Sequence, residues 1–325
     1  MSGMPVRYDA NRIEDAVLAV LGGAPVGEAA RAADTAPGDL SEAIERYRAA
    51  GRAALRTQPS GWHQVNVRFA DYPTAERAFR AHLAPALRTG PVGTWWFVRK
   101  HPHWRLRYHP APWATPEDAA SQVTEALDSS VSSGVTKDWR SVPYEPETVA
   151  FGGMEGLALA HDLFHTDSVG VLDYLRLTAD GNKGMTDAKA TSLLAMTLMM
   201  RAARLEYGEQ GDVWGRVEEG RPLSGDVTPE QVSGMVEPMR RLLLTDARAH
   251  LDSGALAPVR PWIEGLETSG RALAEAADAG RLGLGVRGVL ARHVIFHWNR
   301  MGFTARQQSI WSRAAREAVL GSFGS

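Results

Sequence analysis

Three arginines, Arg99, Arg105 and Arg107, fall close together in the chain, and the last two are separated by a single residue. Guanidinium groups grouped in this way suit a carboxylate, a carbonyl oxygen or a developing enolate, because each is a fixed fork of donors that stays charged. Two His-x-x-x-His pairs form a second group of candidates: His161 with His165, and His293 with His297. A spacing of four sets both rings of a pair on one face of a helix. Such rings can move protons near neutral pH. They can also bind a metal if further ligands approach, and Glu155, Asp162 and Asp167 are the nearest acids. Neither pair has the glutamate beside its first histidine that the zinc-protease motif requires. A helical histidine on a mixed face can equally be a packed or hydrogen-bonded core residue, and an arginine strand a solvated sheet face.

The elements that must position these residues are legible from their periods. Trp62 to Phe69 alternates, with Gln64, Asn66 and Arg68 on one side and His63, Val65, Val67 and Phe69 on the other. Pro73-Thr74 opens a helix carrying Phe79, Leu83 and Leu87. Strands follow at 94–99 and 104–109. In the latter, Arg105, Arg107 and His109 oppose Trp104, Leu106 and Tyr108, so the two arginines lie about 7 Å apart on one side. With Arg68 and Asn66 they make a polar sheet face. A helix over 116–129, a strand over 137–142 and a turn at Phe151-Gly152-Gly153 come next. Beyond Glu155 the pattern is helical: 155–175, 186–207, 228–251, 260–279, 286–300 and 304–321. This order predicts an α+β fold, an antiparallel or mixed sheet with many helices.

Before the first strand, residues 11–56 read as a separate module of three short helices. The first carries a stripe of Ile13, Val17, Leu18 and Leu21. A helix-turn-helix reader of DNA needs a basic face, and Glu28, Asp34, Asp39, Glu42 and Glu45 dilute the arginines here. A docking or packing module is expected instead, with no DNA partner. Gln58 to Gly61 reads as a linker, dividing the chain into a module at 1–58 and a catalytic domain at 59–325.

Composition narrows the chemistry. The 325 residues contain no cysteine, which removes disulfides, thiolate nucleophiles and cysteine-ligated metals, and fits a reducing, cytoplasmic setting. Formal charge is −2, so no global field draws the chain to nucleic acid or anionic lipid. No run of about 18 apolar residues is present, and the N-terminus lacks signal-peptide character. Without a phosphate loop, a dinucleotide fingerprint or a nucleophile elbow, no metal, nucleotide or flavin is expected. The methionines of 186–207 are assigned to the core.

Several segments, taken in order, resemble the thiopeptide-type bacteriocin biosynthesis domain, a relative of the lantibiotic dehydratase C-terminal region. They are Trp62-His63-Gln64-Val65-Asn66-Val67-Arg68-Phe69, Trp95-Trp96-Phe97-Val98-Arg99-Lys100 and His103-Trp104-Arg105-Leu106-Arg107-Tyr108. Tyr144-Glu145-Pro146-Glu147, Phe151-Gly152-Gly153, His161 to Ser168 and His297-Trp298-Asn299-Arg300 complete the set. The resemblance spans residues 60–320 and implies an elimination-domain-like fold. It implies one of two chemistries on a ribosomally made peptide. One is loss of glutamate from glutamyl-Ser or glutamyl-Thr to leave a dehydroamino acid. The other joins two dehydroalanines in a formal aza-cycloaddition to a pyridine, with loss of water and leader peptide. Arg105 and Arg107 match the family's Arg-x-Arg strand, and His297 falls in its His-x-Asn-Arg segment. The eliminating enzymes resemble Tyr-Glu-Arg-Glu with a further arginine before the aromatic-Gly-Gly turn. Pro146 and Ala150 stand in those places here, which favours cyclisation. A non-catalytic partner that presents the peptide is the third alternative.

Residue pattern and resemblance together assign catalysis to Arg105, Arg107, His297 and His165. They assign substrate binding to Arg99, Arg68, Asn66, Asp167, Ser168 and Asn299. The expected partner is a precursor peptide with its leader; other enzymes of the pathway and a second copy of the chain are further candidates.

Overall fold

A computed structural model describes residues 10–56, 61–181 and 184–321, and the chain divides into two compact units, 1–60 and 61–325. The linker expected at Gln58 to Ser60 lies outside the described residues.

The first unit contains α1 (Ala10–Leu21), α2 (Val26–Ala32) and α3 (Pro37–Arg56). Ala16, Val17, Ala29, Ala30, Leu40 and Ile44 form its core. The alanines of α2 allow close approach, so the seam is narrow. Leu18 and Leu21, expected on the buried stripe, are instead 48% and 40% exposed.

The second unit is built on a four-stranded sheet of order β2-β3-β1-β4, in which every pairing is antiparallel. Its strands are β1 (His63–Phe69), β2 (Val92–Lys100), β3 (His103–Pro110) and β4 (Thr136–Val142). Directly opposed residues share a side in an antiparallel ladder. Trp96 opposes Arg107, which opposes Gln64; Val98 opposes Arg105, which opposes Asn66; and Asn66 opposes Arg140. One face thus carries Gln64, Asn66, Arg68, Trp96, Arg105, Arg107 and Arg140. The other carries Val65, Val67, Phe69, Trp95, Phe97, Trp104 and Leu106, all buried.

The apolar face is covered by α6 (Pro116–Ser132) and by the segment after β1. That segment, expected to be one helix, runs from α4 (Ala75–Ala78) through a π turn at Phe79–Leu83 into α5 (Ala84–Leu87). Pro85 has no N–H to give, and such a gap in the ladder goes with a wider turn. Phe79 and Phe97 both stack on Trp104, with ring centroids 5.2 and 4.9 Å away.

After a 3₁₀ turn at Val149–Phe151, the rest is helical: α7 (Met154–Ala179), α8 (Ala188–Ala202), α9 (Tyr207–Gly220), α10 (Pro229–Leu244), α11 (Arg248–Asp252), α12 (Arg260–Asp278), α13 (Val286–Met301) and α14 (Ala305–Leu320). Met196, Met199 and Met200 of α8 are fully buried, the core role expected of them. The helix expected over 186–207 stops early: Arg204 adopts φ 64°, and a capping box between Glu206 and Glu209 starts α9, which the sequence reading did not anticipate. No helix among the described residues is long and apolar enough to cross a membrane.

Candidate functional site

The arginine face is roofed where α7 and α13 cross Trp96. Phe164 of α7 and Phe296 of α13 stack on each other at 5.0 Å, and Phe164 lies 4.5 Å from the Trp96 ring. Against this aromatic wall sits Arg107, 7% exposed, its guanidinium 4.1 Å from the Trp96 centroid and 5.6 Å from that of Tyr144. Arg107 Nε donates to Gln64 Oε1 at 2.7 Å, while Nη1 is buried and has no protein partner. Burial draws this guanidinium down to about 10. Asn66 Oδ1, Arg68 Nε and Trp96 Nε1 are also buried without a partner. An unpaired buried donor is costly, so a face holding several is suited to an acceptor-rich group such as a peptide carbonyl or a developing oxyanion.

Beside Arg107 lies a pair that can exchange protons. Tyr144 Oη is 2.8 Å from His161 Nε2, and Trp62 covers His161 with centroids 4.3 Å apart. Burial, reinforced by the neighbouring His109 and Arg107, lowers His161 to about 4. Burial raises Tyr144 to about 12. At neutral pH the pair is therefore a neutral imidazole accepting from a protonated phenol. The sequence reading quoted Tyr144 within a motif and weighed His161, with His165, for proton transfer or metal binding, but did not join the two. The contact joining them comes from the loop after β4 meeting α7, which no local period reveals.

Behind the wall is a second polar cluster, fully enclosed. Asp167 on α7 accepts from His297 Nδ1 at 2.9 Å, from Arg300 Nη1 at 2.7 Å and from Trp262 Nε1 at 3.1 Å. Burial alone would raise this carboxyl, but His297 and Arg300 outweigh it and hold Asp167 at about 2. His297 Nε2 lies 2.8 Å from Ser192 Oγ, which also accepts from Trp298 Nε1. Gly170 makes the Trp262 contact feasible, since a Cβ there would fall 2.0 Å from the indole. Arg300 spans both clusters. One of its nitrogens is on Asp167, its carbon is 4.7 Å from the Phe164 ring, and Nε and Nη2 are buried without a partner.

The residues expected at the site separate accordingly. Arg105, Arg107, Asn66 and Arg68 share one face, with Arg68 paired to Asp138. Arg99 does not belong to it: it opposes Trp104 on the other side of the sheet and stacks on that ring at 4.6 Å. Asp167 and His297 meet, but inside the core with no exposed surface. His165 and Ser168 close the β2 edge: Nδ1 and Oγ lie 3.2 and 3.3 Å from the N–H groups of Trp95 and Phe97. His165 also lines a cavity of about 320 Å³ with Val169, Pro258 and Trp262. Asn299 accepts from Gln308, tying α13 to α14. Gln64, Tyr144 and Arg300 join the candidate site without having been assigned to it from the sequence, and His161 was named there only as one of a histidine pair. Among the described residues no group of three or more His, Cys, Asp or Glu is arranged to hold a metal ion.

A four-stranded antiparallel sheet roofed by long helices, with a buried Asp-His-Arg cluster behind it, defines the class. Residues 62–319 match the family model described as lantibiotic biosynthesis dehydratase C-term, and the chain belongs to that family. Three solved structures share the fold. The tRNA dependent lantibiotic dehydratase MibB from Microbispora sp. 107891 superposes with a TM-score of 0.57 at 17% identity, over 81% of this chain and 28% of that one. This chain thus corresponds to under a third of that dehydratase. TsrL superposes with a TM-score of 0.53 at 18% identity, over 78% and 94% of the two chains. The pyridine synthase TbtD from thiomuracin biosynthesis gives 0.57 at 14% identity, over 80% and 98%. No curated protein sequence matches the chain.

Proposed function

We propose that this protein is a tailoring enzyme of ribosomally made, thiopeptide-type peptides and that it joins two dehydroalanines into a pyridine ring. The observation that carries the reading is the Arg107 face: a half-roofed cationic surface with unpaired donors, next to a neutral Tyr144–His161 pair. Pro146 and Ala150, where the eliminating relatives resemble arginine, leave that face with fewer cations for a glutamyl carboxylate. The likeness to a pyridine synthase over 98% of its chain supports the same reading.

In the reaction, one dehydroalanine with the adjacent amide in its iminol form supplies four atoms, and the alkene of the other supplies two. Two carbon–carbon bonds close the ring. Water then leaves from the former iminol carbon, and the leader departs as an amide from the former alkene carbon; no oxidant is required. Holding both alkenes together supplies much of the rate. Arg107, with Arg105, Asn66 and Arg68 along the face, receives the reacting carbonyl oxygens, and Tyr144 and His161 exchange protons with the iminol and the leaving groups. His297 acts through Asp167, keeping Arg300 aimed past Phe164. His165 and Ser168 hold the strand that carries Trp96.

The discriminating experiment offers the purified protein two substrates separately, a precursor whose serines are already dehydrated and a precursor carrying glutamyl-serine. Mass spectrometry is expected to show loss of water and release of the leader from the first, with the second unchanged. Conversion of the glutamylated peptide alone would make the protein an eliminating enzyme, and conversion of neither would make it a presenting partner.

A further inference from the structure

The two edges of the sheet are finished differently. On the β2 edge, two bonds from α7 engage the backbone of Trp95 and Phe97: His165 Nδ1 lies 2.9 Å from Trp95 O and 3.2 Å from its N, and Ser168 Oγ accepts from Phe97 N–H at 3.3 Å. Those two bonds fix the phase of the whole ladder, because alternate residues of a strand turn their backbone groups to opposite edges. Trp96 must then exchange hydrogen bonds with Arg107, Leu106 with Val65, and Asn66 with Arg140. It follows that Trp139 and Ser141 of β4 direct N–H and C=O groups away from β1. β4 ends the sheet, no further strand pairs with it among the described residues, and Ser141 is exposed. An open edge of this kind is a template for another strand.

The side chains of the same strand select the occupant. Arg140 lies on the face of Asn66 and Arg105, is exposed, and has no ion-pair partner among the described residues. Asp138, the one acid of β4 on that face, is already neutralised by Arg68. A peptide added here would present alternate side chains to a positive surface continuous with Arg107.

We infer that β4 accepts an extended acidic segment of the peptide substrate as a fifth, antiparallel strand, its carboxylates on the side of Arg140. This rests on the reading above that the partner is a peptide. It places the site of recognition at one edge of the sheet and the site of reaction at Trp96 and Arg107 toward the other.

The test uses a fluorescein-labelled probe of alternating glutamate and threonine, roughly eight residues long, the length of a strand, with affinity read by fluorescence polarisation on the full chain. In the inferred register the threonine N–H groups pair with β4 and the glutamate N–H groups face solvent. N-methylation of the threonines is expected to weaken binding at least about tenfold, the loss of one or two net hydrogen bonds. N-methylation of the glutamates is expected to change it less than about twofold. Any other pattern overturns the inference. Arg140→Glu is expected to reverse the preference toward a lysine–threonine probe, and an unchanged preference also overturns it. Because these measurements read binding alone, a protein that shows this pattern yet converts no dehydrated precursor keeps the inference and loses the proposed reaction. One that converts the precursor without the pattern does the opposite.

Discussion

Asp167 and Arg107 are both buried charges, yet their surroundings differ in kind. Asp167 receives donors from His297, Arg300 and Trp262, so its ionised form is held firmly in place. Arg107 receives one acceptor, from Gln64, two aromatic faces, and nothing at Nη1. A satisfied buried charge is a structural commitment, because removing one partner strands the others. An unsatisfied one beside an open face is a binding commitment, held in readiness for an acceptor that arrives with the substrate. On the proposed reading the arginine face is the reactive region and the Asp167 cluster its scaffold, with Arg300 reaching from one to the other.

The largest effect that separates them is on stability. Asp167→Asn leaves Arg300 without its counter-charge and is expected to cost about 3–5 kcal/mol, read from denaturant unfolding. The same carboxyl links stability to pH. Its folded value of about 2 lies below the ordinary value near 4, so its contribution is complete above about pH 4 and is lost as pH falls toward 2. An Asp167→Asn protein of wild-type stability would remove the scaffold from this account.

The next effect is on turnover. Tyr144→Phe removes the phenol proton but keeps the ring, and is expected to slow conversion by about 10- to 100-fold with little change in melting temperature. Because His161 is lowered to about 4 and Tyr144 raised to about 12, the wild-type rate is expected to stay level between about pH 6 and 9. A rate that changes steeply with pH near 7 would argue against this pair.

How far the sequence reached follows the same division. Alternation along single strands put Arg105 and Arg107 together and set Gln64, Asn66 and Arg68 on one side of their own strand. It could not relate Arg99 to them, because that depends on register between β2 and β3, where Arg99 meets Trp104. Helical spacing paired His161 with His165, but one ring meets Tyr144 and the other the Trp95 backbone, partners fixed only by packing. His297 was legible as a family residue; that it lies in a closed cluster with Asp167 was not, since the two are joined across α7 and α13.

Smaller effects sharpen the contrast. His293 packs between Phe151 and Phe164 with neither ring nitrogen bonded to protein, and burial lowers it to about 3. It is neutral in the fold, whereas the unfolded chain takes up its proton below about pH 6.5, so stability falls as pH drops from there toward 3. His293→Leu is expected to flatten that decline in unfolding curves between pH 7.5 and 4.5, by roughly 2–3 kcal/mol at the acid end. The smallest change is expected from Arg99→Gln, which lies across the sheet from the reactive face. Turnover should remain within about threefold of wild type, and a loss as large as that of Tyr144→Phe would merge the two faces.

The most direct measurement is single-turnover conversion of a dehydrated precursor by Arg107→Ala, with leader affinity measured on the same sample. The expected result is a rate at least about 10²-fold lower, the scale of losing one oxyanion donor, with affinity unchanged within about twofold. Conversion at the wild-type rate would contradict the assignment of the chemistry to the arginine face.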